Sequence, residues 1–204
     1  MSVDFVYLAS ASPRRRELLL QIGVPFRLVG TAVDEAVRSD ETPLEYVVRV
    51  AAAKAAAGWE KSRDGPDAPV LAADTAVVLN GKILGKPADR QEAENMLRQL
   101  SGRSHEVLTA IELRTAGGVQ SRVSRSIVTF RPIATAEVQT YWDSGEPCDK
   151  AGAYAIQGRA AIFVTDLRGS YSGVMGLPLF ETAELLAAAG LTLWQLAAAR
   201  ADEH

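Results

Sequence analysis

Residues 70–84, VLAADTAVVLNGKIL, constrain the fold more than any other stretch of the sequence. An apolar run of this length, rich in valine and bounded by turn residues, predicts a buried strand. The Asn80-Gly81 dipeptide favours a tight turn, so residues 82–84 should return as the second strand of a hairpin. Such a strand needs apolar cover on a sheet, and the other segments must supply it.

Strand and helix patterns alternate along the rest of the 204-residue chain. Further strands are predicted at FVYLA, VPFRLVG and AAIFVTDL, with a long hairpin around Gly117-Gly118. Helices are predicted from about Pro13 to Gly23, from Thr42 to Gly58, and in ADRQEAENMLRQL, TAEVQTYWD, PLFETAELLAAAG and TLWQLAAAR. The predicted N-caps include Ser12, Thr42 and Thr135. These patterns predict an α/β fold with a mixed, twisted sheet flanked by helices, in a single domain spanning residues 1–204.

Composition and charge argue against several classes of function. The formal net charge is −3, so a nucleic-acid-binding surface is not expected. No apolar run reaches the roughly 20 residues of a membrane span, and the first residues lack a signal-peptide pattern, so we expect a cytoplasmic protein. Cys148 is the single cysteine and the histidines are His105 and His204. An intrachain disulfide and a cysteine zinc site are therefore excluded, and Ser-His-Asp catalysis is disfavoured.

The segment LASASPRRRE places Arg14, Arg15 and Arg16 in the first turn of a predicted helix. This arrangement is unfavourable by itself, because aligned peptide dipoles already give a helix N-terminus roughly half a positive charge. Free backbone N–H groups together with guanidinium groups bind phosphate well, so Arg14 and Arg15 are candidate anion ligands. The alternative is a solvated basic face, which Arg16 fits better than its neighbours.

Charged residues also interrupt the apolar patterns of two elements. Asp74 lies inside the predicted buried strand, where an ionised carboxylate is costly unless it is paired or bound to metal. A structural Asp bonded to a turn is the alternative. Lys54 lies at helical spacing from Val47 and Val50, beside the apolar face of its helix, although a snorkelling lysine gives the same pattern. Glu35 is an acidic residue beside a loop, where such residues usually face solvent. It becomes a candidate metal ligand if Asp74 needs a partner to bind Mg²⁺.

Two loops carry further candidates. GKILGKP, residues 81–87, is not a P-loop, because Pro87 stands where the magnesium-binding Ser or Thr is required. Lys86 is either a phosphate ligand or an exposed loop lysine. Residues 146–158, EPCDKAGAYAIQG, show no helix or strand period, as in a binding loop or an ordinary connection. The amide of Gln157 both donates and accepts, so it suits the N3–H and a carbonyl of uracil or thymine.

Five stretches of the chain together resemble the Maf family of nucleoside triphosphate pyrophosphatases: LASASPRRRELL, AADTAV, GKP, DKAGAYAIQG and GLPL. Their order and spacing match that family from Leu8 to about Leu186. The resemblance implies a fold similar to the inosine triphosphate pyrophosphatases, with a substrate cleft between two lobes. It also implies hydrolysis of a nucleoside triphosphate to its monophosphate and pyrophosphate, with a divalent metal, Mg²⁺ or Mn²⁺, as cofactor.

The motifs assign roles by position. Asp74 matches the family's proton acceptor, and the polar cleft residues of the family are matched by Ser10, Arg15, Glu35, Lys54 and Lys86. Within this set, the metal would be held by Glu35 and Asp74. The branch acting on dTTP and UTP has Arg, Thr and Gln where this chain has Arg14, Thr75 and Gln157, whereas the 7-methyl-GTP branch has an aromatic residue, Gln and Glu. The resemblance therefore implies that the substrates are dTTP, UTP and related, modified pyrimidine nucleotides.

One rival interpretation of the resemblance is a non-catalytic, nucleotide-binding regulator, since the family name comes from an association with septum formation. Such a regulator would bind a triphosphate without releasing pyrophosphate. The sequence is compatible with a homodimer.

Overall fold

The computed structural model describes residues 4–191 and Leu193. The helix predicted in TLWQLAAAR, residues 192–200, lies outside the described residues apart from Leu193. Within the described part of the chain, no helix is both long and apolar enough to cross a membrane.

A seven-stranded mixed sheet forms the centre of the protein. Its strands are β1 (Val6–Leu8), β2 (Phe26–Leu28), β3 (Val70–Leu79), β4 (Lys82–Leu84), β5 (Ser104–Thr115), β6 (Gly118–Phe130) and β7 (Val164–Arg168). Their order is β2-β1-β3-β5-β6-β7, and β4 also pairs with β3. The two pairings of β1 are parallel and the others are antiparallel. The predicted α/β class and mixed sheet are confirmed.

Helices flank this sheet. They are α1 (Pro13–Gln21), α2 (Pro43–Ser62), α3 (Arg90–Leu100), α4 (Thr135–Asp143), α5 (Tyr171–Met175) and α6 (Leu179–Ala188). Short 3₁₀ helices occupy Glu146–Asp149, Ala151–Ala153 and Arg159–Phe163. The first two of these 3₁₀ helices lie within residues 146–158, and this agrees with the prediction that the segment has no regular helix or strand period.

The alternation of side chains along β3 separates the two helical layers. Its even-numbered residues, such as Val70 and Ala76, pack against residues of α2, including Ala55 and Val47. Its odd-numbered residues share apolar clusters with α1 and α6 near the start of the strand and with α3 and α4 near its end. Successive side chains of a strand point to opposite faces, so a strand that is covered on both faces needs apolar residues at nearly every position. The continuous hydrophobic run of β3 indicated this burial.

One edge of β3 is divided between two partners. The strand pairs with β1 at Val70 and Leu71, and with β4 from Val77 onward. Among the described residues, no strand pairs with this edge between those two segments, which is where Asp74 and Thr75 lie. The sheet is therefore split at the centre of its longest apolar run, and the gap opens the cleft described below.

Several predicted element boundaries were wrong. Helix α2 continues past Gly58 to Ser62, because Gly58 is a point of close packing inside the helix: a Cβ there would lie 2.9 Å from Ala9 and Val70 side-chain atoms. The first four residues of the predicted strand AAIFVTDL, residues 160–163, instead belong to the 3₁₀ helix Arg159–Phe163 that precedes β7.

The N-caps were predicted with mixed success. Thr42 and Glu45 form the predicted capping box. Ser12 is the N-cap residue of α1, but its side chain makes no capping hydrogen bond. Thr135 is the first residue of α4 and not its cap; the N–H of Ala134 instead donates to Glu137 Oε2 at 2.9 Å.

Candidate active site

A cleft of about 610 Å³ opens at the split edge of β3. It is lined by all of the candidate site residues identified in the sequence: Ser10, Arg14, Arg15, Glu35, Lys54, Asp74, Thr75, Lys86 and Gln157. The structure thus brings together segments from opposite ends of the chain. This proximity does not test the role of any single residue.

Asp74, on β3, lies at the floor of a small charge cluster. Lys54, one turn before Gly58 on α2, places its Nζ 2.9 Å from Asp74 Oδ1 and 2.9 Å from Glu35 Oε1. The other oxygen, Asp74 Oδ2, is buried and makes no hydrogen bond to the described residues. Burial raises the pKa of Asp74, while the ammonium of Lys54 opposes that rise. A carboxylate with one paired and one free oxygen can still accept a proton or bind a cation.

Glu35 enters the cleft from the loop between β2 and α2. Its side chain is 48% exposed, and Lys54 is its ion-pair partner. The loop is tied to α2, because Tyr46 donates its hydroxyl proton to the Glu35 carbonyl at 3.1 Å. Burial raises the pKa of Tyr46 to about 12, with Asp74 and Glu35 adding to the effect, so Tyr46 stays protonated as a donor.

The residues present fit a divalent cation of the kind that the sequence predicts. No group of three or more His, Cys, Asp or Glu suited to a metal ion occurs among the described residues, so a closed protein-only site is absent from this part of the chain. Mg²⁺ is commonly bound by one or two carboxylates together with substrate phosphates. Asp74 Oδ2 and the half-exposed carboxylate of Glu35 provide that donor set.

The three arginines of α1 separate clearly in space. Arg15 is only 8% exposed, and its guanidinium donates to Gly176 O at 2.7 Å, Ser10 Oγ at 3.2 Å and Thr75 Oγ1 at 3.2 Å. Burial lowers the pKa of Arg15, and the nearby carboxylate of Asp74 opposes that shift. Arg14 and Arg16 are both partly buried, but Arg14 lines the cleft and Arg16 does not. Arg15 is therefore a preorganised cation with part of its donor set still free.

Ser10 supports that cation. Its hydroxyl oxygen accepts from Arg15 Nη1 and from the backbone N–H of Ser12, both at 3.2 Å. The N–H of Ser12, which precedes α1, is satisfied by this contact. Ser10 thus lies between the first strand and the first helix, at the base of the arginine cluster.

Gln157 and Lys86 lie on two loops that are joined to each other. The N–H of Gly152 donates to Gly85 O at 3.0 Å, which links the two loops. Both Gln157 and Lys86 are exposed, and their side chains make no hydrogen bond to the described residues. They are free to contact a ligand in the cleft.

The site fits a family that can now be named from independent comparison. The family model described as "Maf-like protein" matches residues 5–189. The chain belongs to the Maf family. It is 56% identical over 196 residues to a protein from Cupriavidus metallidurans named dTTP/UTP pyrophosphatase, covering 92% of this chain and 98% of that protein. A protein of the same name from Methylococcus capsulatus is 54% identical over 194 residues, covering 95% of each.

A solved structure is more distantly similar to this Maf-family chain. The Staphylococcus aureus Ham1 protein is 16% identical with a TM-score of 0.40, and the match covers 64% of this chain and 72% of that one. A likeness of this size supports no argument about chemistry.

Two residues that support the cleft of this Maf-family chain without lining it were missed by sequence reasoning. Glu146 accepts from the Tyr141 hydroxyl at 2.7 Å and from the N–H of Arg159 at 3.0 Å, and it packs so closely on Gly158 that a Cβ there would lie 2.4 Å away. It thereby braces the turn that carries Gln157. The second, Thr109 on β5, was a polar residue in the apolar run HEVLTAIEL, and that interruption was the available signal.

Proposed function

We propose that this chain hydrolyses dTTP and UTP to the corresponding monophosphate and pyrophosphate. The observation that supports the proposal most directly is that Asp74 Oδ2 has no hydrogen-bond partner among the described residues. Arg15, Lys54 and Lys86 line the same cleft. A buried base surrounded by cations suits the hydrolysis of a polyanion. The names of relatives that are more than half identical support the same reaction.

In the proposed reaction, Asp74 acts as general base. It takes a proton from a water molecule whose oxygen attacks the α-phosphorus. The bond between the α-phosphorus and the bridging oxygen breaks, and pyrophosphate leaves with the electron pair. Each turnover therefore consumes one water and yields a nucleoside monophosphate and pyrophosphate.

The cations of the cleft would act on the departing group. Arg14, Arg15 and Lys86 are proposed to neutralise negative charge as it grows on pyrophosphate. Lys54 is proposed to hold the carboxyl of Asp74 with its Oδ2 free, through the 2.9 Å contact to Oδ1. Because Arg15 is already fixed by three hydrogen bonds, little reorganisation is needed when substrate binds.

A divalent cation, Mg²⁺ or Mn²⁺, is part of this proposal. Asp74 and Glu35 would hold it together with phosphate oxygens, and it would supply Lewis-acid stabilisation of the phosphate charge. Since only the two carboxylates of Asp74 and Glu35 would hold the metal on the protein side, affinity for the metal without nucleotide should be weak. Activity should disappear in EDTA and return with Mg²⁺ or Mn²⁺; full activity after exhaustive chelation would contradict a metal requirement.

Selection of the base is proposed to lie with Arg14, Thr75 and Gln157, as the resemblance implied. Gln157 is the member whose side chain is most available, because it is exposed on the cleft wall. We further propose a cytoplasmic location and no nucleic-acid partner; the net charge of −3 supports the second point. A homodimer is part of the same proposal.

A pyrophosphate-release screen tests the activity. Purified protein with Mg²⁺ is supplied with dTTP, UTP, CTP, GTP and 7-methyl-GTP, and pyrophosphate is measured for each. The proposal expects the largest kcat/KM for dTTP and UTP. Tight binding of a triphosphate without any release of pyrophosphate would instead favour the non-catalytic regulator.

A further inference from the structure

Two threonine hydroxyls lie directly opposite each other below the cleft. Thr75 on β3 and Thr109 on β5 are partners in the antiparallel register, and their Oγ1 atoms are 2.9 Å apart. Thr75 lines the cleft, whereas Thr109 does not and is only 1% exposed. Thr109 is thus a fully buried polar residue behind the proposed site.

The protons in this pair can be assigned from their neighbours. Thr109 Oγ1 lies 2.7 Å from the carbonyl oxygen of Gly173, which can only accept. A hydroxyl has one proton, so Thr109 donates it to Gly173 and must accept from Thr75. The proton of Thr75 is therefore directed away from the cleft.

The same assignment connects to the buried arginine. Arg15 Nη2 donates to Thr75 Oγ1 at 3.2 Å, and an acceptor lone pair of Thr75 faces the guanidinium because the Thr75 proton is directed to Thr109. The result is a one-way hydroxyl chain, which we define as Arg15 Nη2–H to Thr75, Thr75 to Thr109, and Thr109 to the Gly173 carbonyl. It ends on the short helix α5.

Gly176, the residue directly after α5, binds the other side of the arginine. Arg15 Nε donates to Gly176 O at 2.7 Å, and a Cβ at Gly176 would lie 3.4 Å from both Arg15 Nε and Thr75 Oγ1. Two carbonyls from the same short segment therefore fix Arg15, one directly and one through the hydroxyl chain. Without Thr109, the second link would be lost.

We propose that Thr109 is a positioning residue for catalysis, acting through Thr75 to orient the guanidinium of Arg15. This proposal rests on the proposed function of the cleft, because it assumes that Arg15 acts on a triphosphate. Thr109 need not touch the substrate. Its hydroxyl determines which way the Thr75 proton points, and thereby whether a lone pair of Thr75 or its proton faces Arg15.

The first test compares two substitutions of the same residue. Thr109→Val keeps the shape but removes the hydroxyl, whereas Thr109→Ser keeps the hydroxyl and loses a methyl. With dTTP as substrate, we expect T109V to lower kcat about tenfold while KM changes by less than about threefold. T109S should retain most of the wild-type kcat, and an equal loss in both variants would overturn the proposal.

A double-mutant cycle tests the route of the effect. If Thr109 acts through Thr75, then adding T109V to a Thr75→Val protein should reduce kcat/KM by less than about twofold further. Independent, multiplicative losses in the double variant would show that Thr109 does not act through Thr75 and would overturn the proposal.

Ser126 is a matched control. It is also 1% exposed, lies on the adjacent strand β6, and donates its hydroxyl proton to Ser170 O, just before α5, at 3.2 Å. Ser126→Ala removes a buried hydroxyl that packs on the same segment but is outside the hydroxyl chain. It should destabilise the protein to a similar extent as T109V without lowering kcat; a tenfold fall in kcat would mean that any loss of packing on α5 suffices.

Failure of the proposed function would look different. If the wild-type protein releases no pyrophosphate from any triphosphate, the proposed function is contradicted, and a crystal structure of T109V then decides the positioning role. Loss of the contact between Arg15 Nη2 and Thr75 Oγ1 would support it. An Arg15 guanidinium that is still bonded to Thr75 would overturn it.

Discussion

Asp74 shows how two opposing effects act on a single carboxyl group. Burial raises its pKa, and the ammonium of Lys54 lowers it. The net shift is upward, so the group is a better proton acceptor than an exposed aspartate. A general base must be ionised to act, and activity should therefore decline as the pH falls through this raised pKa.

Replacing this carboxyl tests its role directly. Asp74→Asn keeps the size of the side chain but removes the base, so kcat for dTTP should fall by ~10²–10⁴-fold. The acid limb of the pH–rate profile should also disappear from whatever activity is left. A correctly folded variant, checked by circular dichroism, that turns over at the wild-type rate would remove Asp74 from the mechanism.

Gln157 is the residue through which base preference is best tested. An amide offers one acceptor and one donor to uracil or thymine, whereas a carboxylate offers acceptors only. Gln157→Glu should lower kcat/KM for dTTP and UTP roughly tenfold to a hundredfold, with a smaller loss for GTP and 7-methyl-GTP. The control is the same variant across all four nucleotides. A uniform loss would mean that Gln157 braces the loop and does not contact the base.

At the scale of elements, α2 links the apolar core to the site. It packs on the even-numbered face of β3 and carries Lys54 to within 2.9 Å of Asp74. The close approach depends on Gly58, whose missing side chain lets the helix approach Ala9 and Val70. Ala9 directly precedes Ser10, so this contact also borders the arginine cluster.

Adding one methyl group at this contact should cost stability. Alanine is a better helix former than glycine by ~1 kcal/mol, but at Gly58 its Cβ would overlap two side chains. Gly58→Ala should lower the free energy of unfolding by about 1–3 kcal/mol, as measured by urea denaturation. Gly30→Ala is the control, since nothing lies within 4 Å of a Cβ there, and it should change stability by less than about 0.5 kcal/mol. Equal stabilities would contradict the close packing.

At the scale of the whole molecule, one buried histidine couples folding to pH. His105 on β5 packs edge-to-face on Phe130 and Tyr154. Its Nε2 lies 2.8 Å from the Tyr154 hydroxyl, and its buried Nδ1 has no partner among the described residues. Burial lowers the pKa of His105 from 6.5 to about 4. The folded protein therefore keeps this ring neutral over a range in which the unfolded chain protonates it.

The sign of the effect on stability follows from that difference. Between pH 6.5 and pH 4, the unfolded state binds one more proton than the folded state at this residue. The free energy of unfolding therefore keeps its full value above pH 6.5 and falls as the pH is lowered towards 4. His105 should account for a loss of about 3 kcal/mol over this range. Urea denaturation of wild-type and His105→Gln proteins at several pH values measures it, and the variant should show a flatter dependence. Identical slopes for the two proteins would contradict the assignment.

Local patterns in the sequence determined most of the elements of this protein. The run from Val70 to Leu84 predicted a buried strand and its hairpin correctly, because strand burial and Asn-Gly turns depend on neighbouring residues. The capping box of α2 was predicted for the same reason. The boundaries that failed, at Gly58 and at residues 160–163, depend on contacts with distant segments.

The motifs also identified polar residues that line the cleft, but only the tertiary structure decided how they are arranged. Nothing local distinguishes Arg15 from Arg14; its burial depends on a carbonyl at Gly176, 161 residues away in the chain. Thr109 and Glu146 support the cleft through similarly remote partners. Periodicity and capping depend on interactions within a few residues. The gap between β1 and β4 along the edge of β3, and the direction of a hydroxyl proton, depend on the assembled sheet.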